Sequence, residues 1–372
     1  MEKARPVSLK EIRIRDNFWD KYRRLVREEI LKYQWCAMND QIEGAPKSHC
    51  IENFRIAAGE KQGEFYGAVF QDSDVAKWLE AVAYTLAEKP DKELKKLADS
   101  VIELIGRAQE PDGYFNTYFI LKEPGQRFRN LREGHELYTL GHMIEAAVAY
   151  KRATGEKRFL EIVQKMADLV ANTFGVEEGK RMGMPGHQEI ELALMKLYEE
   201  TGKESYKELA KYFIDVRGCG NRNYFLEEME QKDVKRIFPE LNDYRPEYSQ
   251  SHLPVRKQRT AEGHAVRAVY MYAAMADIAA EYDDEELLGA CETLWNNMVH
   301  RRMYVTGGIG SSGILERFTA DYDLPNDYNY CESCASIGLA FFARRMMQIT
   351  KKAKYVEVME RALYNTVLAG IA

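Results

Sequence analysis

The chain has 372 residues, 45% of them hydrophobic and 30% charged, with a net charge of −6. That profile belongs to a soluble globular protein able to bury a sizeable core. It carries no Lys/Arg run interleaved with aromatics for nucleic acid or an anionic membrane, and no apolar run near the ~20 residues that cross a bilayer.

Met1 to Pro6 lead into no apolar stretch, so no signal peptide is expected. Six scattered cysteines (36, 50, 219, 291, 331 and 334) lack the density of a disulfide scaffold, which points to a cytoplasmic protein with free thiols. The first strong helix pattern puts Val75, Trp78, Leu79, Val82 and Leu86 on one face. Met143 to Ala149, Ile190 to Tyr198, Val266 to Ile278 and Ile337 to Met347 repeat that spacing. Tyr304-Val305-Thr306 is a strand candidate, but the strands that an α/β sheet would need between helices are missing.

The helices carry an internal echo. Gly134-His135 opens one that closes at Thr154-Gly155, and Gly186-His187 opens one that closes at Thr201-Gly202. Gly263-His264 opens a third, and the Cys331–Cys334 segment opens a fourth that closes near Thr350-Lys351. Glycine just past a helix supplies a left-handed cap at little steric cost. A second amphipathic helix follows, as in Phe159 to Phe174 and Tyr206 to Val216. Helix, turn, helix at intervals of roughly 50 to 75 residues predicts an all-α fold, an α/α toroid formed by residues 1–372 as a single domain. Each Gly-His pair alone could be a simple cap, but their recurrence in one structural position predicts that His135, His187 and His264 converge. His142, two turns beyond His135, reads as a packed core histidine.

Residues 304–340 carry the chemistry. Gly308, Gly310 and Gly313 match the dinucleotide fingerprint literally, yet Pro325 interrupts the required helix and no βαβ unit surrounds it. Glu316, Asp321, Asp323, Asp327 and Glu332 follow, among Phe318, Tyr322, Leu324, Tyr328 and Tyr330. That alternation predicts a partly buried loop in which a carboxyl pKa is raised, as a general acid requires. Cys331 and Cys334 share a face on a helix, whereas Glu332 and Cys334 share a side in an extended lead-in. Spacing alone leaves metal binding and packed structural cysteines equally open.

Several segments together resemble glycoside hydrolase family 127. They are Glu316 to Asp327 (ERFTADYDLPND), Tyr330 to Gly338 (YCESCASIG), Ala108 to Tyr114 (AQEPDGY), Gly134 to Tyr138 (GHELY), Gly186 to Leu194 (GHQEIELAL) and Tyr33 to Trp35 (YQW). The resemblance runs nearly the whole chain and implies an (α/α)6 barrel with a retaining mechanism and a zinc-bound cysteine nucleophile. It makes Glu316 the general acid/base, Glu332 and Cys334 zinc ligands, and His135, His187, His264 and Gln34 the residues that hold the sugar. The implied substrate is an oligosaccharide or glycoconjugate bearing β-L-arabinofuranose or a related sugar. The family's nucleophile lies in a further cysteine pair downstream, so the expectation is that residues 1–372 omit that pair, the last barrel helices and the C-terminal β-sandwich domains. Cys331 departs from the pattern, as a thiol that competes for metal or simply packs. Two other classes compete: a metal-free toroid enzyme (a sugar epimerase or unsaturated-uronide hydrolase) and a non-catalytic sugar-binding protein. A homo-oligomer stays open.

Overall fold

A computed structural model of the chain describes residues 1 and 3–371. Ten of its helices make five consecutive pairs: α1 (Asp72–Glu88) with α2 (Lys92–Ala108), and α3 (Glu136–Thr154) with α4 (Arg158–Thr173). Then come α5 (Ile190–Thr201) with α6 (Glu204–Asp215), α7 (Ala265–Glu281) with α8 (Glu285–Arg301), and α9 (Ser333–Thr350) with α10 (Ala353–Ala362). Odd-numbered helices pack on one another in sequence as an inner layer, and even-numbered ones lie outside them. This is the α/α toroid that the helix rhythm predicts.

The two layers differ in composition because they differ in surroundings. Every residue of α7 from Ala265 to Ala280 is buried, and seven of the sixteen are alanines. A helix apolar all round has no solvent face, and small side chains let its neighbours approach closely. In α2 only Ala98, Val101, Ile102, Leu104, Ile105 and Ala108 are buried, which is one amphipathic stripe. The predicted stops hold. Gly155 (φ 85°) and Gly202 (φ 72°) end α3 and α5 in the left-handed conformation, while α9 ends at Lys351 in the same geometry.

An N-terminal helical run joins the ends of the inner layer. Helix Asn17–Leu25 passes through a π turn (Val26–Ile30) into helix Leu31–Met38, which packs on α1. There the Trp78 indole donates to the Leu31 carbonyl (3.0 Å), and Trp35 lies 5.0 Å from Trp78. At its other end Trp19 packs 5.2 Å from Tyr364, beyond α10. No described helix is long and apolar enough to cross a membrane.

Two local expectations fail. Tyr304 to Thr306 form a turn, not a strand, closed by Gly307 N–H donating to the Tyr304 carbonyl (2.9 Å). No partner strand exists for this segment; among the described residues there are only isolated β-bridges. The acidic loop also buries less than its aromatic content predicts. Phe318 is in the core, but Tyr322 and Tyr328 are 69% and 77% exposed. Asp321 is tied down by Arg301 and Arg302, so charge pairing anchors this loop more than ring burial does.

Candidate active site

The echoed histidines stand at the starts of successive inner helices. His135 precedes α3, His187 lies three residues before α5, and His264 is the N-cap of α7. Their rings converge: His135 and His187 are 5.8 Å apart between centroids, His187 and His264 5.3 Å. Glycine makes this approach possible at two points. A Cβ on Gly186 would lie 2.3 Å from the Arg132 carbonyl oxygen. Gly263 has φ +70°, and a Cβ there would meet the Glu247 carbonyl at 1.9 Å.

Gly263 and His264 also hold the loop that carries Glu316. Phe318 N–H donates to the Gly263 carbonyl (2.9 Å), and His264 bridges Arg317 in antiparallel fashion. Gly263→Ala is therefore expected to cost more than the ~1–2 kcal/mol of a left-handed alanine alone. The check is a denaturant midpoint, which an accommodated alanine would leave unmoved.

Hydrogen bonding sets the histidine tautomers. His135 Nδ1 lies 2.6 Å from the Glu133 carbonyl, and His187 Nδ1 lies 2.8 Å from that of Gln188. A carbonyl only accepts, so both rings carry their proton on Nδ1 and present Nε2 as an acceptor. Burial pushes His135 down to about 3 and His187 well below its ordinary value. The unfolded chain takes up these protons near pH 6.5 and the fold refuses them, so each favours folding at neutral pH. Each then loses about 1.4 kcal/mol per pH unit below 6.5, until its folded pKa is reached. Imidazole ¹⁵N shifts should report neutral Nδ1–H rings for both across pH 5–8; a ring that titrates near 6.5 contradicts this.

His264 takes the other tautomer. Its Nδ1 accepts the Arg267 N–H (3.5 Å), which leaves Nε2–H to donate to Glu316 Oε2 at 2.8 Å. Tyr330 donates to the other Glu316 oxygen, also at 2.8 Å. These bonds hold the Glu316 pKa below its ordinary value, the His264 bond first. The raised acid expected from the aromatic loop is thus not the resting state, because two donors outweigh burial. Leu315 and Glu316 both have positive φ (59° and 52°), as do His135 (53°) and Cys331 (42°). Such backbone conformations persist only where surrounding structure over-determines them, and four of them sit together here.

Glu332 and Cys334 lie where α9 begins. Glu332 is extended (φ −61°, ψ 154°) and the helix starts at Ser333, so these two side chains share a side and interact electrostatically. Cys331 turns away: its N–H donates to the Gly310 carbonyl (2.9 Å), and its Sγ lies 3.1 Å from where a Gly308 Cβ would stand. Burial raises its thiol to about 11, the behaviour of a packed cysteine. Burial and nearby Glu316 raise Glu332 to about 7. His264, Glu316 and Glu332 bring ligand-capable atoms within 4.8 Å of one another. They form a nitrogen and oxygen donor set that could hold a metal ion, and the exposed Cys334 lies two residues beyond Glu332. Gln34 is exposed on helix Leu31–Met38, and among the described residues it makes no hydrogen bond to this group.

Residues 11–372 match the family described as beta-L-arabinofuranosidase, GH127 catalytic domain. The chain belongs to glycoside hydrolase family 127. It is 45% identical over 377 aligned positions to the non-reducing end beta-L-arabinofuranosidase of Bifidobacterium longum, covering 97% of this chain and 57% of that protein. Among solved structures it resembles a GH127 beta-L-arabinofuranosidase from Geobacillus stearothermophilus T6, with a TM-score of 0.93 and 58% identity. That alignment covers 97% of this chain and 56% of the other. A second GH127 beta-arabinofuranosidase aligns at TM-score 0.87 and 38% identity over 99% of this chain and 55% of that one. The chain thus spans a little over half the length of its GH127 relatives.

The structure brings six of the seven residues singled out for this GH127 site into one group, and Gln34 lies exposed on helix Leu31–Met38. Sequence reasoning had passed over Tyr330, Tyr138 and Arg267 as site residues. Tyr138 had a legible signal, lying three residues after His135 on the same helical face. Arg267 had none, because its role depends on reaching Gly186 O (2.8 Å) from another helix.

Proposed function

We propose that this chain forms the glycone-binding and acid/base half of a retaining β-L-arabinofuranosidase, which releases that sugar from oligosaccharides or glycoconjugates. The observation that carries the reading is Glu316 held by His264 beside Glu332, next to the converging histidines, in a chain matching the family from residue 11 to 372.

In this reading Glu316 takes up a proton as the sugar enters. Substrate beside the histidines strips water from the carboxyl and displaces the His264 bond, both of which raise its pKa. It protonates the departing glycosidic oxygen and later draws a proton from the incoming water. Nε2 of His135 and of His187 accept hydrogen bonds from sugar hydroxyls. Glu332 and Cys334 are the residues that would hold zinc, with Glu316 left free for proton transfer. Zinc, when bound, would keep a ligated cysteine as thiolate at neutral pH. We assign the nucleophile to a cysteine in the portion of the relatives' length that lies beyond residue 372.

A protein spanning that full length, given 4-nitrophenyl β-L-arabinofuranoside, should release the sugar first as its β anomer, visible by ¹H NMR within the first turnovers. First release of the α anomer would remove the covalent mechanism and leave an inverting hydrolase.

A further inference from the structure

Four inner helices bring to their starts a group already discussed: His135, His187, His264 and the Glu332–Cys334 pair. The fifth, α1, brings Lys77. This lysine stays in contact with solvent although it is ringed by Tyr138, Asp74 and Cys334. Its Nζ donates to Ser73 Oγ and to Tyr138 OH, both at 3.0 Å. An ammonium has three N–H donors, so one is left over among the described residues. The Tyr138 hydroxyl accepts from Lys77 and gives its own proton to no described group. Its ring packs 4.5 Å from His187 and 5.5 Å from His135, which sets both donors beside the converging histidines.

A sugar hydroxyl donates one hydrogen bond and accepts others. His135 and His187, protonated on Nδ1, offer only acceptors at Nε2. A cavity of acceptors alone would leave hydroxyl oxygens desolvated and unpaired. We propose that Lys77 and Tyr138 are the matching donor pair: Lys77 binds a ring hydroxyl of the furanose opposite the histidines and is a specificity-determining residue. The ammonium makes this a charge-assisted bond, and Ser73 and Tyr138 hold the flexible side chain in place before the sugar arrives. A site built to pair a hydroxyl discriminates strongly against the analogue that lacks it.

The inference rests on the arabinofuranosidase reading for the identity of the sugar. The test compares wild type, Lys77→Met and Lys77→Gln, each spanning the relatives' full length. Substrates are 4-nitrophenyl β-L-arabinofuranoside and its 2-, 3- and 5-deoxy analogues, with melting temperatures taken alongside. Wild type should disfavour one analogue at least tenfold in kcat/KM. Lys77→Met should raise KM for the parent at least tenfold and treat that analogue like the parent. Lys77→Gln, which keeps a neutral donor, should recover part of the discrimination and covers the case in which Lys77→Met folds poorly. Variants that keep the full wild-type discrimination would overturn the inference alone and make Lys77 a support for Tyr138. A wild type that cleaves none of these glycosides would overturn the arabinofuranosidase reading, and this inference with it.

Discussion

Glu316→Gln is expected to lower kcat/KM for an alkyl β-L-arabinofuranoside by about 10²–10⁴-fold, the range that a positioned proton donor contributes. An alkoxide leaves poorly without a proton, so this substrate reads the acid role fully. The 4-nitrophenyl glycoside should lose less, because nitrophenolate departs with little help. The wild-type profile should fall with rising pH along a limb that reports loss of the Glu316 proton, and the variant should lack that limb. Glutamine keeps the size of the side chain and can still accept from Tyr330, so the fold is expected to survive, as an unchanged melting temperature would show. Equal losses on both substrates, with the limb retained, would mean that Glu316 only positions the sugar.

Cys334→Ser carries the second large effect. The extended Glu332 puts its side chain on the same side as that of Cys334 where α9 begins, whereas Cys331 packs against the Gly308 backbone. In a protein spanning the relatives' length, Cys334→Ser should drop bound zinc well below one equivalent and reduce hydrolysis to background. Serine replaces a soft thiolate with a neutral hydroxyl, a far poorer zinc ligand. Cys331→Ser should leave both zinc content and rate near wild type. Metal analysis beside initial rates decides it; the reverse pattern would assign the ligand to Cys331.

How far the sequence reveals this arrangement depends on the range of the interactions involved. The toroid was legible because its pattern is local: Gly155 and Gly202 stop helices, and apolar residues at helical spacing mark the buried faces. The convergence of the histidines was legible because the same pair recurs before three inner helices. Which of Cys331 and Cys334 faces Glu332 was not, since it turns on where α9 begins; the extended Glu332 decides it. Nor was the resting state of Glu316. Aromatic neighbours pointed to a raised pKa, but the His264 and Tyr330 donors come from residues 52 positions before it and 14 after it in the chain. Gln34 entered only through family resemblance, because an exposed glutamine within a helix carries no local signal of a role. The strand at Tyr304 failed for the converse reason: three residues of good local propensity found no partner to pair with.

The measurement that bears most directly on the central claim is turnover, by a protein spanning the relatives' full length, of three sugars before and after exhaustive chelation. These are 4-nitrophenyl β-L-arabinofuranoside, an unsaturated uronide disaccharide and cellobiose, the last scored for epimerisation. The account predicts that only the arabinofuranoside is consumed, that chelation stops it and that added zinc restores it. Undiminished turnover after chelation, or consumption of either other sugar in place of the arabinofuranoside, would contradict the account and leave a metal-free toroid enzyme in its place.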